Sequence, residues 1–287
     1  MPTILRQRMV EDLRLRNYSP RTIDTYTRCV AGFAHYFGKS PALLGPEQIR
    51  RYQGFLVEEK KASWSLFNQT VSALRFLYGV TLGRQEAIEY IPYPKQEKKL
   101  PVVLSLEEIA KFFGSVRNRK YRTVLMTMYG AGLRISEALG LLVSDLDSQR
   151  RLIRVRQGKG RKDRYAELTP TLLLQLREYW RVYRPQSWLF PGRTLDRPLH
   201  ATSVQRACKE ARLRAGLRKP VTTHTMRHCY ATHLLEAGRD LRSIQMRLGH
   251  GALNTTAIYL HVAAGVEPST QRPIDLLGLA QGNDQKQ

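Results

Sequence analysis

The sequence predicts a mainly α protein with a small β-sheet, organised as a helical N-terminal domain followed by a domain that sets a β-hairpin among helices. Three observations carry that expectation. Apolar residues recur at helical spacing through the first 85 residues, and a proline- and lysine-rich stretch breaks the pattern at 84–102. Two short strand-like runs, 152–155 and 164–168, then flank a basic, glycine-containing turn. At 287 residues the chain is long enough to bury two ordinary cores.

In the first domain, Ser19 followed by Pro20 is a helix start, with the serine as N-cap and the proline in the first turn. Ile23, Tyr26, Val30, Phe33, Ala34 and Phe37 follow on one face, and Gly38 ends the helix. A third helix is expected after Gly45-Pro46. A fourth begins near Ser63 and carries Trp64, Phe67, Val71, Leu74, Phe76 and Leu77. Pro92, Pro94 and Pro101 then stiffen a stretch charged by Lys95, Lys98 and Lys99, which sets the expected boundaries: a helical domain over 1–85, a linker over 86–102, a second domain over 103–270 and a tail over 271–287.

Ser105-Leu106-Glu107-Glu108 is a capping box that opens the second domain, with Ile109, Phe112 and Phe113 turned inward. Helices are expected from about Arg122 to Tyr129 and from Arg134 to Leu142. The hairpin follows, its turn reading Gly158-Lys159-Gly160-Arg161-Lys162-Asp163, and helices resume to the end. The last residues, 281–287, are polar and expected to fray.

Charge narrows the partner. With 47 Lys and Arg against 24 Asp and Glu, the chain carries a formal +23, and a surplus that large points to a polyanion, with nucleic acid leading. Residues 1–100 hold 16 basic and 9 acidic side chains, so both parts are basic, as a clamp closing on DNA from two sides requires. No run approaches the roughly 20 apolar residues of a membrane span, and the N-terminus lacks the apolar core of a signal peptide, so no membrane partner and a cytoplasmic protein are expected. Cys29, Cys208 and Cys229 are odd in number and never form a CxxC pair, so buried thiols are expected in place of disulfides or a zinc site.

Four clusters can carry chemistry: residues 130–137 (GAGLRISE), the 158–160 turn, His224-Thr225-Met226-Arg227, and 248–250 leading to 255–259 (TTAIY). Together they contain what a protein hydroxyl needs to cleave a phosphodiester. The pentacoordinate phosphorane gathers negative charge on its nonbridging oxygens, which planar, permanently charged guanidiniums stabilise; Arg134 and Arg227 are candidates. His224 lies three residues before Arg227, hence on the same helix face. Tyr259 is the candidate nucleophile, and a phenol with a pKa near 10 needs either a base, for which His224 is a candidate, or a strongly positive pocket. Lys159 is a candidate general acid for the departing oxygen.

The segments GAGLRISEAL, QGKGRKDR, HTMRHCYATHLLEAG and LGHGALNTTAIYLHV, in that order, resemble the catalytic boxes of the tyrosine recombinase (phage integrase) family, and most closely its Xer-like two-domain members. Tyr18-Ser19-Pro20-Arg21-Thr22 resembles the opening of that family's helical core-binding domain, and 103–262 resembles its catalytic domain. The resemblance implies a 3′-phosphotyrosine link through Tyr259, phosphate binding by Arg134 and Arg227, and protonation of the 5′ oxygen by Lys159. It further implies that His224 assists proton transfer, that His250 hydrogen-bonds the phosphate, and that Glu137 supports the first arginine. Because bond energy is kept in the ester, neither ATP, a metal nor any other cofactor is implied. Met226 stands where relatives usually have leucine, a tolerable apolar exchange.

By the same resemblance the expected activity is site-specific recombination, serving integration, excision or dimer resolution. The expected partners are double-stranded DNA with inverted-repeat core sites, a homotetramer in the synapse, and accessory DNA-bending or partner recombinase proteins. Two alternatives stand beside it: a DNA-binding accessory protein or regulator without strand exchange, and a strand-nicking topoisomerase. Ile274, Leu276, Leu277 and Leu279 form a short apolar group in the tail, which packs either on its own domain or on a neighbouring subunit. His228 and His233 read as a packed helix face, and Trp180, Trp188 and Phe190 as core. Arg150, Arg151, Arg154 and Arg156 read either as phosphate contacts or as a solvated face.

Overall fold

A computed structural model describes residues 3–89, 91, 100–156, 163–249 and 259. The chain divides into two compact units, Met1–Lys98 and Lys99–Gln287. Among the described residues no helix is long and apolar enough to cross a membrane.

The first unit is helical. α1 (Ile4–Leu15), α2 (Pro20–Phe37), α3 (Pro46–Glu58) and α4 (Trp64–Phe76) surround a core that includes Met9, Leu13, Phe33, Ile49, Leu56, Leu74 and Leu77. The caps fall where the sequence puts them. Ser19 Oγ accepts from Thr22 N at 3.1 Å and Ser63 Oγ from Leu66 N at 3.3 Å, each worth about 1 kcal/mol. Gly38 closes α2 in the left-handed conformation, at φ 61°. An aromatic group joins α2 to α3: Tyr36 lies 4.4 Å from Phe55 and Phe33 lies 5.2 Å from Tyr52, ring centre to ring centre. The Tyr78 hydroxyl, just past α4, reaches Pro41 O at 3.0 Å and Leu44 O at 3.1 Å and so ties down the connection between them.

The folded part of this unit runs past residue 85, where the sequence reading starts a linker. α5 (Glu86–Glu89) is a single helical turn, Ala87 and Ile91 are buried in the same core, and Arg75 donates to Ile88 O and Ile91 O at 2.9 and 2.6 Å. One turn is too short to show periodicity, and the prolines mark only where helix becomes impossible, several residues later.

The second unit is built around α7 (Arg119–Ala131), whose residues from Thr123 to Ala131 are all buried. α6 (Leu106–Gly114), α8 (Ile135–Leu139), α9 (Pro170–Tyr183), α10 (Ala201–Arg214), α11 (Thr223–Glu236) and α12 (Leu241–Leu248) complete the helices. The capping box of α6 is formed: Glu108 N donates to Ser105 Oγ at 3.2 Å and Ser105 N to Glu108 Oε2 at 2.9 Å. α8 is shorter than the expected 134–142 because Gly140 ends it.

The sheet has three antiparallel strands in chain order, β1 (Leu146–Asp147), β2 (Leu152–Val155) and β3 (Arg164–Glu167). β2 and β3 pair with Leu152 opposite Glu167 and Val155 opposite Arg164, which turns Ile153, Val155 and Ala166 into the core. β1 was not expected, since two residues carry no readable alternation. The three cysteines are buried thiols. Phe190 is core, but Trp180 is 40% exposed beneath the Arg184 guanidinium at 4.2 Å, and Trp188 is half-buried with its indole N–H donating to Asp196 O. Their apolar area suits a core, yet each ring finds a polar partner at the surface instead.

Gly132 ends α7 at φ 63°, and a Cβ there would meet the Tyr230 ring at 2.5 Å, whereas Gly38, at φ 61°, has open space around it. Gly38→Ala should therefore cost only the left-handed strain, about 1–2 kcal/mol. Gly132→Ala should add an overpacking cost of about 1–3 kcal/mol. Urea denaturation of the two variants should rank them in that order, and equal losses would show that Tyr230 yields freely.

Candidate active site

The turn at Gly132 delivers Arg134 to the start of α8, as its N-cap. From there Arg134 N donates to Glu137 Oε2 at 2.9 Å while its NH1 donates to Oε1 at 2.6 Å, so one residue caps the helix and fixes the carboxylate. Glu137 is buried, and two more guanidiniums reach it: Arg164 NH2 from β3 at 2.8 Å and Arg227 NH1 from α11 at 3.6 Å. Three positive groups thus share one negative one. Burial alone would raise Glu137, but Arg164, the Arg134 backbone and side chain, and Arg227 together hold its carboxyl below the usual carboxylate range.

Arg227 is itself buried. Its NH1 donates to Gly132 O and its NH2 to Leu248 O, both at 2.5 Å, and both carbonyls stand at C-terminal helix ends, where the backbone dipole is negative. Burial and the charge of Arg134 push Arg227 down to about 10, with Glu137 acting against them, so it stays charged at neutral pH. Arg164 NH1 donates to Arg247 O at 2.7 Å, and Arg247 pairs with Glu167, joining β3 to α12. Gly249, at φ 63°, ends α12 against the Arg164 side chain, which a Cβ would meet at 2.7 Å.

His224 occupies the first turn of α11, one turn before Arg227 and His228. It is exposed, yet the crowding of surrounding protein, then the positive charges of Arg227 and Arg134, hold its imidazole below the ordinary value. Tyr259 is 2% exposed. Burial raises its phenol above 10, with Arg227 and Arg134 pulling the other way. Its hydroxyl lies 3.0 Å from His228 Nδ1.

Of the residues singled out in the sequence, Arg134, Glu137, His224, Arg227 and Tyr259 therefore come together in the second unit. Lys159 and His250 lie outside the described residues, as does the 271–287 tail. Arg164 was not singled out: on a strand it reads as an alternating polar residue, although it lies inside the QGKGRKDR segment. His233 is a packed residue, its Nδ1 2.9 Å from the Tyr129 hydroxyl and its Nε2 2.9 Å from Leu104 O. His228 departs from that reading, since it faces the tyrosine. Arg154 and Arg156 pair with Asp163 at 2.9 Å and Asp145 at 2.8 Å, a use that the sequence reading did not consider.

Comparison with known proteins places the chain in a family. Residues 103–265 match the phage integrase family, and residues 5–88 match the N-terminal SAM-like domain of phage integrases. A Sinorhizobium fredii protein described as integrase/recombinase y4qK is 49% identical over 96% of this chain and 90% of its own length. Tyrosine recombinase XerA of Pyrococcus horikoshii is 34% identical over 87% of this chain and 86% of its own. A crystal structure of the site-specific recombinase XerH bound to its difH substrate, before cleavage, superposes with a TM-score of 0.66 at 25% identity, covering 88% of this chain and 81% of that one. The chain belongs to the phage integrase family, the tyrosine recombinases, and is Xer-like within it.

Because Glu137 is depressed in the folded state, its contribution to stability is complete above the ordinary value of 4.5 and is lost as pH falls through the lower folded value. Glu137→Gln should lower stability at neutral pH by about 3 kcal/mol by leaving buried guanidiniums uncompensated. It should also flatten the fall in melting temperature below pH 4.5, and an unchanged acid limb would show that other carboxylates set it.

Proposed function

We propose that this protein is a site-specific DNA recombinase that cleaves and rejoins strands through a 3′-phosphotyrosine intermediate, with Tyr259 as nucleophile. The observation that carries the reading is the convergence of a buried tyrosine with Arg134, Arg227 and His224, positions spread over 125 residues, around a cluster of three guanidiniums and one carboxylate. That cluster has a surplus of two positive charges. A phosphodiester brings one negative charge and gains a second as the phosphorane forms, so the surplus is matched in the transition state and not before. The first turn of α11 adds backbone dipole of the right sign.

In this reading Arg134 and Arg227 hold the nonbridging oxygens, His224 assists proton transfer and Glu137 holds the arginines in place. Lys159 protonates the departing 5′ oxygen, and His250 hydrogen-bonds the phosphate. The pathway uses only protein groups. The first unit, whose packed core reaches Ile91, is the helical core-binding domain, and 103–270 is the catalytic domain. The substrate is double-stranded DNA carrying inverted repeats, engaged by four copies of the chain in a synapse, in the cytoplasm, with accessory or partner recombinase proteins as further candidates. XerH, a relative in fold, is itself a complex with its difH substrate, which supports DNA as the partner. A regulator without strand exchange would have no use for a buried tyrosine beside this cluster.

The test is a covalent adduct. DNA carrying the inverted repeats that flank the gene, nicked near the cleavage position, should trap a protein–DNA adduct with wild type and none with Tyr259→Phe, while both bind equally; tight binding without an adduct in wild type would refute the reading. Binding should also weaken by about a thousandfold or more between 50 and 200 mM salt.

A further inference from the structure

The His228 imidazole is half-buried on α11, one turn after His224, and the arrangement around it is specific. Its Nδ1 is 3.0 Å from the Tyr259 hydroxyl, and the two rings pack with centres 5.8 Å apart at 52°. No hydrogen bond joins His224 to Tyr259 among the described residues, although His224 is the histidine assigned to proton transfer above. From this geometry we infer that His228 is a positioning residue for the nucleophile: its neutral ring accepts the hydrogen bond from Tyr259 and aims the phenolic oxygen, without taking the proton. The inference rests on Tyr259 being the nucleophile.

Chemistry separates aiming from proton uptake. Burial, then His224 and Arg227, pushes His228 down to about 4, so the ring is neutral at neutral pH, and in its Nε2–H tautomer Nδ1 accepts the hydrogen bond. The Tyr259 phenol stands above 10. With His228 pushed down and Tyr259 pushed up, the ring is a weak base and the phenol a weak acid, so in the resting site the proton stays on the tyrosine. A hydrogen bond needs no such transfer. It fixes the one torsion that a phenol leaves free, the direction of its O–H, and leaves a lone pair of the oxygen directed elsewhere. Arg227 is the residue preceding His228 on α11, so the backbone that seats the guanidinium at Gly132 O and Leu248 O also seats the ring that holds the nucleophile. Placing both on adjacent residues of one buried helix fixes their separation better than a loop would.

The experiment uses the full-length protein and single-turnover adduct formation on the nicked substrate. His228→Ala should slow the adduct by about 100-fold, the order of loss that a misplaced reacting atom brings, with DNA affinity unchanged. His228→Asn puts an amide oxygen near the place of Nδ1; it accepts a hydrogen bond but takes no proton, and it should restore the rate to within about fivefold of wild type. A substrate with sulfur as the 5′ bridging atom, whose leaving thiolate needs no proton, should leave the alanine defect in place. Three results would overturn the inference: a wild-type rate in His228→Ala, an asparagine variant that binds DNA normally yet is as slow as alanine, or a defect that disappears with the sulfur substrate. A wild type that binds but forms no adduct would sink the assignment of Tyr259 as well, which distinguishes the two failures.

Discussion

A carboxylate buried among three guanidiniums governs how this catalytic unit is put together. Glu137 is reached by Arg134 from its own helix, Arg164 from the sheet and Arg227 from α11, so one side chain fixes three elements to each other. Burying like charges this close is costly, and without the carboxylate the arginines would repel and seek water. With it, two guanidiniums are held without having to be neutralised. The residual positive charge is a property of the folded protein, present before any substrate arrives, which is the sense in which such a site is preorganised.

The surrounding backbone is shaped to serve that cluster. Arg227 cannot be satisfied by Glu137 alone at 3.6 Å, and its remaining donors go to Gly132 O and Leu248 O. Those carbonyls are available because α7 and α12 both stop with a left-handed glycine, which frees the last carbonyls of each helix from further helical bonds. Gly132 does two things at once. It offers its carbonyl to Arg227 and turns the chain so that Arg134, two residues on, starts α8 beside Glu137. Helix termination, which in other places is a local matter of caps, here sets the distance between the two phosphate-binding candidates.

How legible this was in the sequence depends on whether the signal is local. Ser19-Pro20, Ser63, the Ser105 to Glu108 box and Gly38 mark helix ends by short-range chemistry, and the structure places the ends there. The single turn of α5 and the two-residue strand β1 have no period to detect. Arg134, His224, Arg227 and Tyr259 are legible because their types and order suit phosphate chemistry, whereas Glu137 is legible only through the family resemblance. Arg164 and His228 were missed for one shared reason. Each has an ordinary local pattern, a polar residue on a strand and a histidine on a helix, and each takes its meaning from a partner far along the chain: Glu137, 27 residues before Arg164, and Tyr259, 31 residues after His228. Trp180 shows the converse error, where an apolar ring was assigned to the core and instead lies under Arg184 at the surface.

The position of Tyr259 also constrains the order of chemical events. Its phenol is buried and stands above its ordinary value despite two arginines nearby, so a free phenolate is rare before substrate binds. A phosphodiester entering the cluster partly cancels the positive charge that would favour phenolate, which makes early ionisation harder still. In the proposed reaction, proton loss from Tyr259 therefore accompanies formation of the bond to phosphorus, when the charge moves from the phenolic oxygen into the phosphorane and meets the guanidiniums directly. The step exchanges one phosphodiester for another, so it releases little free energy and runs in either direction. What favours product over substrate then lies outside the chemical site, in how DNA strands and protein copies are arranged. The proposed site accordingly needs to be fast and reversible, and a rigid cluster of fixed charge beside a buried, neutral tyrosine suits both demands.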